Sequence, residues 1–130
     1  MIEARELRIG NWVTNHIIQS LPPKRYQITA QCILDIADNR INREHILPIP
    51  LTPELLEKAG FEDISPNKNA LAVRIMINAS EELAWWVSEG YLRHQTRDSG
   101  FTRRIEHIKH LHQLQNLYFA LMGEELKIDL

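Results

Sequence analysis

From Ile108 to Met122 the chain reads as one amphipathic helix with an unusually broad apolar side. At 100° per residue, Ile108, Leu111, Leu114, Leu117, Tyr118, Phe119, Leu121 and Met122 fill a wide arc. Lys109, Gln113, Asn116 and Ala120 leave only a narrow polar stripe. An arc of that width predicts burial on most sides, with the rest of the chain wrapped around the helix. Gly123 supplies the stop. What wraps it must be β, because the preceding apolar residues alternate with period two. The fold class expected is α+β, with two small antiparallel β regions packed around a long C-terminal helix.

The front β region opens with Leu7-Arg8-Ile9-Gly10-Asn11-Trp12-Val13, in which Gly10 marks a bulge or a close backbone approach. Leu21-Pro22-Pro23-Lys24 reads as a turn. From Tyr26, the residues Ile28, Ala30, Cys32, Leu34 and Ile36 fall on one face of a long strand, with Ile33 and Ala37 as apolar exceptions opposite. Asp38-Asn39 closes it. This opening is compatible with an SH3-like barrel. Thr52 as N-cap, Pro53 in the first turn and Gly60 as stop predict a short helix over 53–59, with Leu51 and Leu56 as its hydrophobic staple. Alternation resumes through Leu71, Val73, Ile75 and Ile77, turns at Asn78 to Glu81, and returns through Leu83, Trp85 and Val87. Glu89-Gly90 and Asp98-Ser99-Gly100 bracket two further short strands and complete a meander. Leu126, Ile128 and Leu130 predict an edge strand at the end. At 130 residues the whole is expected to be a single domain.

With 15 Lys and Arg against 17 Asp and Glu, the formal charge is -2, which argues against a bulk electrostatic grip on nucleic acid or anionic lipid and leaves room for a local patch. No apolar run reaches the length of a membrane span, and the first residues have no signal-peptide character, so a cytoplasmic location is expected. Cys32 is the single cysteine; it rules out an intrachain disulfide and is expected as a buried, inert thiol in mid-strand.

His112-Gln113-Leu114-Gln115-Asn116-Leu117-Tyr118-Phe119-Ala120-Leu121 followed by Gly123-Glu124-Glu125-Leu126, together with Glu6-Leu7-Arg8-Ile9-Gly10-Asn11-Trp12-Val13 and Pro48-Ile49-Pro50-Leu51-Thr52, resembles a family of small proteins of Bacteroidetes and of their phages and mobile elements. His110 and Met122 depart from the aromatic and the Thr often found there. The family has no established activity, so the resemblance implies a phage or mobile-element setting, compatible with counter-defence, and assigns no catalytic residue.

Three groups of side chains carry candidate chemistry. His107, His110 and His112 cluster near the helix start, and two of them have the i,i+3 spacing of a metal pair. Nothing nearby completes a ligand set, and no metal or cofactor is expected. His112, Gln115 and Asn116 put polar groups within the apolar arc. Buried amides need partners, so they either tie the helix to backbone, at Gly10-Asn11 or Ile49-Pro50, or floor a pocket. Trp85, Trp86, Tyr91, Arg93, Arg97, Arg103 and Arg104 form the one basic, aromatic cluster, with His94 and Phe101 among them. Guanidinium groups beside aromatic rings suit a phosphate with a stacked base. One indole of Trp85-Trp86 must turn away from the core.

Glycine-rich phosphate loops, nucleophile elbows and zincin motifs are all absent from the sequence. The function expected is therefore non-catalytic: a binding protein for a nucleotide-like anionic ligand, or one that blocks a host protein. A nucleic-acid-binding regulator and a homo-oligomeric interaction protein stand as alternatives.

Overall fold

The computed structural model describes residues 2–15, 24–96 and 100–130. It is α+β, with one sheet of three strands and one of five, both antiparallel, and three α-helices among the described residues. Contacts group it into two compact units. The first takes Met1–Pro50, His110–Leu117 and Leu130; the second takes Leu51–Lys109 and Tyr118–Asp129.

In the first unit, β1 (Trp12–Asn15) lies between β2 (Lys24–Gln27) and β3 (Ile46–Leu47). Trp12 faces Gln27 and Thr14 faces Leu47 in the ladders. Ile2, Leu7, Val13, Ile28, Ile36 and Ile46 form its core, with Tyr26, Cys32 and Ile33 packed on it. The long strand expected from Tyr26 onward stops at Gln27, and α1 (Ala30–Ala37) replaces the rest. Thr29 caps this helix: its hydroxyl oxygen accepts the Cys32 backbone N–H at 3.2 Å and satisfies a first-turn donor. Ile33, read as an exception to the alternation, forms with Cys32 and Ile36 the stripe that meets the core, while Leu34 is 57% exposed. Cys32 is consequently half-buried in a first helical turn, not enclosed in a strand. Among the described residues this sheet has three strands and does not close into the SH3-like barrel considered from the sequence. Asn39, at φ 57°, makes the expected turn, after a helix. Residues 21–23 of the expected proline turn lie outside the described residues.

In the second unit, α2 (Pro53–Lys58) has the predicted cap, with Thr52 Oγ1 accepting from Leu55 N at 3.2 Å. Gly60, at φ +97°, ends it in a left-handed conformation that favours glycine. The five-stranded sheet runs β4 (Glu62–Asp63), β5 (Ala72–Met76), β6 (Glu81–Trp86), β7 (Tyr91–Thr96) and β8 (Thr102–Ile105), each paired with the next. Asn78 builds the β5–β6 turn by accepting the Ser80 and Glu81 backbone N–H groups. On one face of the sheet Val73, Leu83, Trp85 and Leu92 are buried. Leu71 and Val87, expected on inward faces, fall beyond the strand ends and are exposed. Of the turn at Asp98 to Gly100, only Gly100 lies within the described residues, at φ +68°.

The last helix, α3 (Leu111–Met122), begins three residues later than expected. The backbone before it is spent on bridges: Leu51 N donates to Lys109 O, His110 pairs with Pro50, and Leu111 N donates to Ile49 O at 2.8 Å. Its buried residues are Leu111, His112, Leu114 and Gln115, whereas Phe119 and Leu121 are exposed, so the burial expected on most sides is confined to the start of the helix. Gly123 stops it, its N–H reaching Phe119 O at 2.8 Å. Residues 123–130 form no strand; Leu126 alone of the expected edge residues is buried.

Candidate functional site

Pairing register sorts the basic and aromatic residues onto two faces of the five-stranded sheet. Trp86 faces Tyr91 across β6–β7, Ala84 faces Arg93, and Arg93 faces Arg104 across β7–β8. Side chains two apart on a strand share a face, so Trp86, Tyr91, Arg93 and Arg104 stand together. Trp85 takes the opposite face and is 6% exposed, in the core. Arg103 also takes that other face, opposite His94 in register. The expected cluster therefore divides, and Arg97 lies outside the described residues.

The Tyr91 ring is the centre of the grouping. The Arg104 guanidinium carbon lies 5.1 Å from the ring centroid and that of Arg93 lies 5.8 Å from it. Both distances are within cation–π range. Like charges directly opposite each other in a sheet destabilise it, so this pair needs compensation. Arg93 receives it from the Glu89 carboxylate and from the Tyr91 hydroxyl at 3.5 Å. The contact to Tyr91, with Glu89 adding to it, holds the Arg93 guanidinium more firmly charged than usual, against the opposing effect of burial. Among the described residues the carboxylate beside Arg104 is that of Glu106, at 3.8 Å, and both side chains are largely exposed. An exposed pair of that length is weak and exchangeable.

Three polar atoms on this hairpin are buried without a hydrogen-bond partner: Trp86 Nε1, Arg93 Nε and Glu89 Oε2. Glu89 reads in the sequence as turn filler; its four-residue spacing from Arg93 was the available signal. Further along the same face, Arg74 bridges Glu62 at 2.7 Å and Glu82 at 3.5 Å. Glu82 is 5% exposed, a buried carboxylate that the strand pattern conceals. On the other face His94 Nε2 lies 3.2 Å from Glu81.

The polar residues of α3 form a different construction, in the first unit. Gln115 Oε1 accepts Trp12 N at 2.8 Å while its Nε2 donates to Gly10 O at 3.2 Å. Asn116 Oδ1 accepts from Arg8 at 2.7 Å and from Asn11 Nδ2 at 2.9 Å, and its Nδ2 donates to Glu6 O at 2.8 Å. These two amides clamp the turn at residues 8–11, the backbone tie expected at Gly10-Asn11. Gly10 takes φ +93°, which lets the turn form. The Asn11 side chain joins the clamp, and so does Arg8, which has no signal in the sequence because its partner is more than a hundred residues away.

His112 differs from its neighbours. It is 2% exposed, and neither ring nitrogen has a partner. Its ring stacks on that of His110 at 6.1 Å. Burial lowers its pKa, Glu6 pulls the other way, and His110 adds to the lowering. His107 and His110 precede α3, so the i,i+3 helical spacing does not arise; His107 is exposed. Among the described residues no three His, Cys, Asp or Glu side chains gather as a metal would require.

Fold and site together define an α+β protein whose larger sheet presents an arginine–aromatic face. Comparison with protein-family models, with curated proteins and with solved structures finds no match. Among the described residues no helix is long and apolar enough to cross a membrane.

Proposed function

We propose that this chain is a non-catalytic binding protein that captures a nucleotide-like anionic ligand on the face formed by Trp86, Tyr91, Arg93 and Arg104. One observation carries the reading: two guanidinium groups, cross-strand neighbours, converge on one tyrosine ring. An arriving phosphate relieves the repulsion between them, and a base stacks on guanidinium or ring. Arg104 is the free arm, since it exchanges a weak exposed carboxylate for the ligand. Arg93 is the fixed arm, held by Glu89 and Tyr91.

The resemblance to small phage and mobile-element proteins supplies the biological setting of the proposal. Sequestering a host signalling nucleotide in the cytosol, as a counter-defence device, is the role that fits both. Calorimetry against cyclic dinucleotides and ADP-ribose-type compounds tests it. Binding is expected in the wild type and about tenfold weaker in Tyr91→Ala or Arg104→Ala, the loss of one cation–π or ionic contact. Absence of binding across that panel overturns the nucleotide reading.

A further inference from the structure

The five-stranded sheet has two unlike edges. The β4 edge is acidic and only two residues long, Glu62 and Asp63. The ladder directs the backbone of Glu62 toward β5, because Ile64 N already reaches Ala72 O in the same register. Only Asp63 is left to face outward, and such an edge is too short to recruit a strand. The β8 edge is different. Thr96 N donates to Phe101 O at 2.8 Å, which makes 96 and 101 a hydrogen-bonded pair. By alternation so are 94 with 103 and 92 with 105, and the backbone N–H and C=O groups of Thr102 and Arg104 point away from β7. Thr102, Arg103 and Arg104 are exposed, and among the described residues no strand pairs with β8 on its outer side.

We infer that β8 accepts an extended acidic peptide segment from a partner protein, which adds a sixth strand to this sheet. Charge selects the occupant. Arg103 and Arg104 project from opposite faces of β8, so a partner with two consecutive carboxylates places one beside each guanidinium. Phe101, 54% exposed on the Arg103 side, offers an apolar contact further along. A second copy of β8 is disfavoured by the same rule, since antiparallel self-pairing centred on Arg103 or Arg104 sets arginine against arginine. The acidic β4 edge of a second copy is too short for the reason given above. The site is distinct from the ligand face in what binds it, backbone rather than ring, although Arg104 serves both.

The test is an NMR titration of the isotope-labelled protein with a capped peptide, Val-Thr-Val-Glu-Glu-Val-Thr-Val, and with the same peptide carrying Lys-Lys in place of Glu-Glu. The acidic peptide is expected to shift the Thr102 and Arg104 amides first, and the lysine peptide to bind at least about tenfold more weakly. Thr102→Pro removes an outward N–H without touching a β7–β8 hydrogen bond or either arginine; it is expected to weaken the acidic peptide about tenfold while nucleotide binding persists. A second measurement leaves the protein unaltered. Peptides N-methylated on one or the other alternate set of amides are compared, and only the set that faces β8 is expected to abolish binding. Equal binding by both methylated peptides overturns strand addition and leaves charge attraction alone. Self-association in sedimentation that Thr102→Pro abolishes overturns the peptide in favour of a second copy.

Discussion

Gln115 shows how much one side chain can hold. Its two amide atoms serve a backbone N–H and a backbone C=O of the same turn, so truncation leaves the Trp12 N–H buried without a partner. Gln115→Ala is expected to lower unfolding stability by about 1–3 kcal/mol in chemical denaturation. Gly10→Ala acts on the same turn from the other side. A Cβ there meets no atom within 4 Å, so its cost is purely that of a positive φ, about 1–2 kcal/mol. His112 makes stability depend on pH. Its folded pKa is lowered below the ordinary 6.5, mainly by burial, with Glu6 opposing and His110 adding. Above 6.5 neither state is protonated; as pH falls below it, the unfolded chain takes up a proton that the folded chain refuses. Stability is therefore lost from 6.5 downward until the folded pKa is reached. His112→Leu is expected to flatten this part of the stability curve, and an unchanged slope would show that other groups produce it.

At the scale of elements, the decisive comparison is between α1 and α2. The helix at Pro53–Lys58 is written in short-range chemistry, with cap, first-turn proline and terminal glycine all within nine residues, and the sequence reads true. The helix at Ala30–Ala37 has an equally good cap in Thr29, but its apolar residues also satisfy period two. Only the position of the core against Cys32, Ile33 and Ile36 selects the helix. Thr29→Ala is expected to destabilise the first unit by about 1 kcal/mol and to reduce helical circular dichroism. Were residues 28–36 a strand, the same change would leave the helical signal untouched. The β6–β7–β8 meander was legible because its turns and alternation are local. Its division of the arginine cluster was not, because which of two adjacent arginines shares a face with Tyr91 depends on register, and a one-residue slip exchanges them.

For the whole molecule, the boundary between the two compact units falls within α3, whose residues up to Leu117 belong to one and from Tyr118 to the other. A helix unfolds cooperatively along its length, so a single calorimetric transition is expected, and two resolved transitions would establish separate domains. Sequence alone determined the charge balance, the absence of an intrachain disulfide and, through periodicity and turn chemistry that act within a few residues of chain, the α+β class. The tertiary structure decided everything that joins distant residues. It set the amides of Gln115 and Asn116 on the turn at residues 8–11, put Trp85 in the core and Trp86 on the opposite face of the sheet, and brought Arg93 and Arg104 to one ring. Those contacts have no local signature, because hydrogen bonds and cross-strand neighbours are fixed by packing and register, and both exist only once the chain has closed on itself.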